Sequence, residues 1–212
     1  MSEKKKRIGI MGGTFDPIHI GHLILGETAY HQFHLDNVLF MPAGNPPHKQ
    51  DRENRATDSQ RVEMVRLAIA SNPHFTLSME EMHREGYSYT YRTLERLKKR
   101  YPDTEYYFIL GADSLYTFDE WKEPARILGA CTILVGTRNH TSDEKLDRVI
   151  EHLEEKYHGQ IEKLESLNID ISSKMIRSWI EKGRSLAYYV PDQVIEYIQK
   201  NNIYKGCDED EV

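Results

Sequence analysis

Short apolar runs alternate with amphipathic stretches along most of the chain. An apolar run of strand length predicts a strand buried in a sheet, and apolar positions three or four residues apart predict a helix with one buried face. The predicted strands lie at 7–11, 37–41, 75–79, 106–110, 131–135 and 161–164. The predicted helices lie at 23–30, 59–71, 90–101, 143–157, from 171 onward and from 191 onward.

The alternation of strands and helices favours a mostly parallel sheet, because right-handed crossovers place the connecting helices on its two faces. We therefore expect an α/β, Rossmann-like, doubly wound fold with a small C-terminal helical part at about 171–205. The length of 212 residues suits a single domain over 1–212 that ends in an acidic tail at 206–212. Ligands of such folds bind at the carboxyl ends of the strands, where the strand order reverses.

The charge and the composition exclude several kinds of partner. The formal net charge is -6 and the pI is about 5.9, which argues against a nucleic-acid partner. No apolar run approaches the ~18 residues that span a bilayer, and the N-terminus lacks a signal peptide's apolar segment. We therefore expect a cytoplasmic protein with no membrane partner. Cys131 and Cys207 are then expected to be two free thiols in a reducing compartment.

The first predicted strand runs into the string G-G-T-F-D-P-I-H-I-G-H at 12–22. Gly12 and Gly13 can adopt turn geometry and let the backbone approach a phosphate closely. Asp16 followed by Pro17 fits a helix N-cap with proline at the first helical position. A strand, a glycine turn and a helix in this order predict a phosphate-binding turn, since backbone N–H groups and a positive helix end meet there.

His19 and His22 are three residues apart and are expected to share one face of the following helix. Both imidazoles can donate to phosphate oxygens that gain charge during an in-line displacement. The same pair also fits half of a metal site, although no second cluster of His and Cys supports zinc. A helix cap beside a core histidine is a further interpretation, and for the two residues taken alone it is the preferred one.

The string at 12–22 resembles the first signature of the nucleotidyltransferase superfamily that shares the HxGH motif. The second signature of that superfamily, I-S-S-x-x-I-R, occurs at Ile171–Arg177. Ser172 is placed to cap a helix, and Ser173 lies one turn before Arg177. The resemblance implies that His22, His19 and Arg177 are catalytic. The ATP-binding residues expected from the two signatures and from the end of strand 106–110 are Gly12, Gly13, Thr14, Phe15, His19, His22, Gly111, Asp113, Ser172, Ser173 and Arg177.

Simpler interpretations exist for several of these residues. Ser172 and Ser173 would serve as plain helix caps, and Arg177 would form a surface ion pair. Asp113 either accepts a hydrogen bond from a ribose hydroxyl, orients a group at the adenosine site, or caps a helix. The two signatures stand in the expected order, which favours membership of the superfamily over chance similarity.

Over essentially the whole chain the sequence looks most like the bacterial nicotinate-nucleotide adenylyltransferases, which join nicotinate mononucleotide and ATP into deamido-NAD and pyrophosphate. The resemblance implies that Trp121 stacks on the pyridine ring and that backbone amides at Thr90 and Lys122 hold the ring carboxylate. It also implies that His48 and Lys49 approach the mononucleotide phosphate. A solvent-exposed loop is an equally good interpretation for Asn45 and a weaker one for Lys49. The expected nicotinate mononucleotide-binding residues are Asn45, His48, Lys49, Thr90, Trp121 and Lys122.

The resemblance further implies direct transfer, with Mg²⁺ accompanying ATP, no metal site built from protein side chains and no covalent intermediate. Phosphopantetheine or nicotinamide mononucleotide adenylyltransferase is the alternative enzyme, and a non-catalytic nucleotide sensor is the alternative of another class. The sequence departs from the family pattern at Lys174 and at Asn139-His140 after Arg138, so the roles of Lys174 and Arg138 stay open. The sequence does not determine the oligomeric state, and a homo-oligomer is compatible with it.

Overall fold

One sheet of six parallel strands organises the protein in the computed structural model, which describes residues 5–45, 55–82, 86–136, 144–165 and 170–205. The strands are β1 (Lys6–Gly13), β2 (Asn37–Pro42), β3 (Phe75–Leu77), β4 (Thr104–Gly111), β5 (Thr132–Gly136) and β6 (Ile161–Leu164). Their order in the sheet is β3-β2-β1-β4-β5-β6. All six strands were predicted from the sequence, although β3 ends two residues earlier than expected.

Eight α-helices and one short 3₁₀ helix (Phe118–Glu120) surround the sheet within the described residues. The helices are α1 (Ile20–Gln32), α2 (Asp58–Ile69), α3 (Thr90–Arg100), α4 (Ala112–Tyr116), α5 (Pro124–Leu128), α6 (Glu144–Tyr157), α7 (Ser173–Glu181) and α8 (Asp192–Lys200). Six of them match the predicted helices. The short helices α4 and α5 and the 3₁₀ turn were not predicted. The α/β, Rossmann-like, parallel-sheet prediction is confirmed.

The strand order reverses between β1 and β4, because β1 pairs with β2 on one side and with β4 on the other. In this register Met11 lies opposite Ile109, so the two carboxyl ends lie side by side. The turn after Gly13 and the turn after Gly111 therefore open at the same edge of the sheet. This edge is where ligands of doubly wound sheets bind.

Successive residues of the central strands point to opposite faces and divide the core in two. Ile109 joins the cluster under α1, α2, α7 and α8, to which Ile176 and Val194 contribute. Phe108 joins the cluster under α3 to α6, together with Leu94. Helices α7 and α8 bury their apolar residues in the same core as α1 and α2. The single domain over 1–212 stays a prediction. Within the described part of the chain, no helix is both long and apolar enough to cross a membrane.

The predicted start of α1 is wrong. Asp16 is not the N-cap and Pro17 is not the first helical residue, since α1 begins at Ile20 with His19 at the cap position. The reason is that the Asp16 carboxylate, 2% exposed, faces the interior and accepts hydrogen bonds from other segments. A carboxylate held in this way is not available to cap a helix.

Two smaller predictions also need correction. Cys131 lies directly before β5 and not inside it, although it is buried as expected. Asp113 does not cap a helix, because the cap position of α4 belongs to Gly111. Cys207 lies outside the described residues.

Candidate active site

Two cavities of about 260 Å³ each open at the carboxyl edge of the sheet. The first lies over the ends of β1 and β4. The predicted ATP-binding residues that line it are Gly12, Gly13, Thr14, Phe15, His19, His22, Gly111, Asp113, Ser173 and Arg177. Residues from both signatures, 140 or more positions apart in sequence, thus lie around one space. Ser172 is not among the lining residues.

The end of β1 packs tightly against the neighbouring strand. A Cβ atom at Gly12 would lie 2.9 Å from Cζ of Phe108, so the Phe108 ring would have to shift to admit any other residue. Phe15 follows with a φ of 51°, in the left-handed region, and its buried ring meets the His22 ring edge-on at a centroid distance of 5.0 Å. The core thus holds His22 in place through Phe15.

His19 and His22 form a stacked pair at the first turn of α1. Their ring centroids are 3.7 Å apart, and the His19 backbone N–H donates to Nδ1 of His22 over 3.2 Å. Because Nδ1 accepts this bond, the neutral His22 ring carries its proton on Nε2. A Cβ at Gly21 would lie 3.2 Å from Nδ1 of His19, so the intervening glycine leaves room for the His19 ring. The expectation that both lie near the helix start is confirmed.

Helix α7 forms hydrogen bonds to the turn between β1 and α1. Ser172 caps α7 by accepting the Met175 N–H over 3.2 Å, as expected from the sequence. The Ser173 hydroxyl donates to the Pro17 carbonyl over 2.9 Å, and Nη1 of Arg177 donates to the Asp16 carbonyl over 2.6 Å. The second signature therefore binds the backbone of the first.

The Asp16 carboxylate accepts hydrogen bonds from residues in distant parts of the chain. Oδ1 accepts from the Ala56 N–H over 3.1 Å and from the Tyr204 hydroxyl over 2.7 Å. Oδ2 accepts from Nη1 of Arg55 over 2.9 Å and lies 3.7 Å from Nη1 of Arg177. Burial and the nearby charge of Arg55 lower the pKa of Arg177. The position of Tyr204 depends on the C-terminal segment after α8.

Sequence reasoning missed three of the residues that hold this turn: Arg55, Arg61 and Tyr204. Arg61 is buried and joins two loops, because Nη1 donates to the Thr14 carbonyl over 2.6 Å and Nη2 donates to the Ala43 carbonyl over 2.7 Å. An arginine near the start of a predicted helix carries no signal of such a role. Its burial could have been suspected only if it lay among the apolar residues of the buried helix face.

The second cavity adjoins the first and lies between β1, α3 and the loop after the 3₁₀ helix. The two cavities share lining residues, namely Gly12, Gly13, Thr14, Phe108, Ser114 and Trp121. The half-buried Trp121 ring packs on Phe118 at a centroid distance of 5.4 Å and edge-on to Phe108 at 6.2 Å. Trp121 is therefore part of the core as well as part of the wall between the cavities.

Three of the predicted mononucleotide-binding residues, Thr90, Trp121 and Lys122, line the second cavity. Thr90 is the first residue of α3, so its backbone N–H has no partner within the helix. Asn45 lines neither cavity; its side-chain amide donates to the Gly86 carbonyl over 3.3 Å. His48, Lys49 and Arg138 lie outside the described residues, and Lys174 is exposed on α7.

Known proteins resemble this chain over nearly its whole length. A family model described as Cytidylyltransferase-like matches residues 10–179. A protein of Lachnoclostridium phytofermentans is 41% identical over 94% of this chain and 99% of its own length, and one of Thermoanaerobacter sp. is 41% identical over 99% and 100%. Both carry the name "probable nicotinate-nucleotide adenylyltransferase".

A solved structure shares the fold. Plasmodium falciparum nicotinic acid mononucleotide adenylyltransferase complexed with NaAD superposes with a TM-score of 0.75 at 22% identity, over 94% of this chain and 97% of the other. At that identity the similarity shows a shared fold only, whereas the sequence relatives show the family. The chain belongs to the cytidylyltransferase-like nucleotidyltransferases and, among them, to the nicotinate-nucleotide adenylyltransferase family.

Proposed function

We propose that the protein transfers the adenylyl group of ATP to nicotinate mononucleotide, giving deamido-NAD and pyrophosphate in NAD biosynthesis. A phosphate oxygen of the mononucleotide attacks the α-phosphorus of ATP, a new P–O bond forms, and the bond to the β-phosphate oxygen breaks. The observation that carries the proposal is the pair of adjoining cavities, which share the Gly12–Gly13–Thr14 wall. Two substrates held there face each other across one phosphorus.

The first cavity suits the triphosphate of ATP. Its floor is the glycine turn, whose backbone can approach phosphate closely, and its wall is the positive end of α1. Nε2 of neutral His22 carries a proton that can be donated to an oxygen of the α-phosphate as negative charge develops. Arg177 and Ser173 line the same cavity and are the groups that would bind the β- and γ-phosphates. Such a site acts by positioning and charge stabilisation, so no nucleophilic side chain is needed.

Magnesium would enter with ATP. Among the described residues, no group of three or more His, Cys, Asp and Glu side chains could hold a metal ion. The phosphate oxygens themselves are hard ligands that suit Mg²⁺, which commonly binds through substrate phosphates and one or two carboxylates. Asp16 and Asp113 both line the first cavity. The Asp16 oxygens already accept hydrogen bonds from Arg55, Ala56 and Tyr204, so Asp113 is the better candidate for such a ligand. The ion would neutralise charge on the departing pyrophosphate.

The second cavity suits a flat ring that carries an anion. Trp121 offers an aromatic surface, and the N-terminus of α3 at Thr90 offers backbone N–H groups together with a positive helix end. A carboxylate on the ring fits this helix end better than a neutral amide does, because the anion gains from the helix dipole. This difference favours nicotinate over nicotinamide mononucleotide.

A competition assay tests the proposal. ATP and Mg²⁺ are supplied with nicotinate mononucleotide, nicotinamide mononucleotide or phosphopantetheine, and pyrophosphate release is measured for each. We expect the highest kcat/KM with nicotinate mononucleotide. A His22→Ala variant should lose about 100-fold or more in kcat, as enzymes do when one transition-state donor is removed. His31→Ala, on the exposed face of the same helix, is the matched control and should keep wild-type turnover.

Three results would count against the proposal. A preference for phosphopantetheine or nicotinamide mononucleotide would change the substrate. ATP binding without pyrophosphate release with any acceptor would make the protein a sensor. A folded His22→Ala enzyme with wild-type turnover would remove the histidine from the chemistry.

A further inference from the structure

A second arginine lies beside Arg177 at the phosphate cavity. Arg55, which neither sequence signature includes, lines the first cavity together with Arg177 and His22. Its side chain is 28% exposed, while that of Arg177 is 14% exposed. Both guanidinium groups therefore border the cavity and are partly withdrawn from bulk water.

The two arginines share a single carboxylate. Nη1 of Arg55 lies 2.9 Å from Oδ2 of Asp16, and Nη1 of Arg177 lies 3.7 Å from the same oxygen. Asp16 is 2% exposed, and its other oxygen is occupied by the Ala56 N–H and the Tyr204 hydroxyl. At Asp16 two guanidinium groups therefore share one carboxylate, and Glu181 is the other acidic side chain whose charge acts on Arg177.

This arrangement favours a further anion. Like charges close together repel in a partly buried site, and the charge of Arg55 contributes to the lowered pKa of Arg177. An anion bound between the guanidinium groups would relieve that repulsion. Guanidinium groups present paired N–H donors that match phosphate oxygens, so a phosphate chain is the suitable ligand.

The location identifies the part of ATP that the arginines would contact. Asp16 lies three residues before His19, and the arginines approach it from α7 and from the segment before α2. The proposed reaction assigns the α-phosphate to the histidine pair and the β- and γ-phosphates to Ser173 and Arg177, so Arg55, which shares Asp16 with Arg177, would reach the same two phosphates. We infer that Arg55 is a second phosphate-binding arginine, which contacts the β- and γ-phosphates of ATP beside Arg177 and holds the departing pyrophosphate. The inference rests on the proposed function for this assignment of phosphates.

A calorimetric binding experiment tests the role of Arg55 without any turnover. Wild type, Arg55→Gln, Arg55→Lys and Arg66→Gln are titrated with pyrophosphate and, separately, with AMP, both in the presence of Mg²⁺. Arg66 is the matched control, because it lies on α2 in an exposed ion pair with Glu63, away from the cavity. AMP carries the α-phosphate and lacks the other two.

We expect Arg55→Gln to weaken pyrophosphate binding about tenfold, since a charge-assisted hydrogen bond is lost, and to change AMP binding less than about twofold. Arg55→Lys keeps the charge and should fall between Arg55→Gln and wild type. Arg66→Gln should match wild type for both ligands. If Arg55→Gln does not fold, the pyrophosphate and AMP affinities of Arg55→Lys decide the question alone.

Two outcomes would overturn the inference. Equal weakening of AMP and pyrophosphate would mean that Arg55 acts only through Asp16 on the whole turn. Unchanged pyrophosphate binding in Arg55→Gln, or in Arg55→Lys where that variant alone folds, would mean that Arg55 does not contact the phosphates. A wild-type protein that makes no deamido-NAD would contradict the proposed function, yet the binding comparison would still report on Arg55.

Discussion

The hydroxyl of Tyr204 ties the C-terminal segment to the phosphate-binding turn, and its removal has a predictable effect on stability. Tyr204 is 3% exposed and donates over 2.7 Å to the buried Asp16 carboxylate. A hydrogen bond to a charged group contributes about 1.5–3 kcal/mol. Phenylalanine fills the same space, and Arg55 and the Ala56 N–H still serve the carboxylate. We therefore expect Tyr204→Phe to lower the free energy of unfolding by about 1.5–3 kcal/mol.

The measurement is equilibrium unfolding in urea, with the slope of the transition as a check that both variants unfold in the same way. Burial and the charge of Asp16 raise the pKa of Tyr204 far above its usual range, so the difference should be constant between about pH 6 and 9. Tyr188→Phe removes the same hydroxyl from a side chain that is 92% exposed, and it should unfold like wild type. A Tyr204→Phe protein as stable as wild type, or an equal loss in Tyr188→Phe, would refute this explanation.

Three further predictions concern other parts of the molecule. Trp121→Ala should raise the Kd for nicotinate mononucleotide at least about fivefold, because stacking on an aromatic ring contributes about 1–3 kcal/mol. The Kd for ATP should rise less, and titration measures both. Burial raises the pKa of the Cys131 thiol to about 12, so in a Cys207→Ser background a maleimide should label the native protein at pH 7 far more slowly than the unfolded one. The hydrogen bond from the Tyr157 hydroxyl lowers the pKa of Asp119. The stability that this bond contributes is present above the pKa of the unfolded state and is lost as pH falls through the folded pKa. In urea titrations, the free energy of unfolding of Asp119→Asn should therefore fall less steeply than that of wild type below about pH 4.

The sheet was predictable because parallel strands are buried on both faces. Such strands are continuous apolar runs, and the run at 106–110 is the clearest example of this in β4. Helices α3 and α6 were predictable from one apolar face against charged residues. The helices α4 and α5 have five residues each, which is too short for a 3.6-residue period to be visible in the sequence. Their existence depends on the packing of the segment between β4 and β5.

The failure at Asp16 has a tertiary cause. An aspartate before a proline has the local pattern of a helix cap, and nothing nearby in sequence competes with that interpretation. In the folded chain the carboxylate instead accepts a hydrogen bond from the hydroxyl of Tyr204, which lies 188 positions later in the sequence. Arg55 and Arg61 were missed for the same reason, because their partners Asp16 and Thr14 lie 39 and 47 residues earlier.

The candidate site was predictable only where a motif marks it. His19, His22, Ser173 and Arg177 came from the two signatures, and the structure places all four around one cavity. Residues such as Phe108 and Ser114, which separate the two cavities, belong to no motif and became visible only when the sheet was assembled. The roles of the motif residues in catalysis remain predictions for the experiments above.

The most direct test of direct transfer is the stereochemical course at the α-phosphorus. Adenosine 5′-(1-thiotriphosphate) of one known configuration is reacted with nicotinate mononucleotide, and the configuration of the thiophosphate in the dinucleotide product is determined. Two substrates that face each other across one phosphorus predict a single in-line displacement and therefore inversion. Retention of configuration would require two displacements through an enzyme-bound intermediate and would contradict the proposed mechanism.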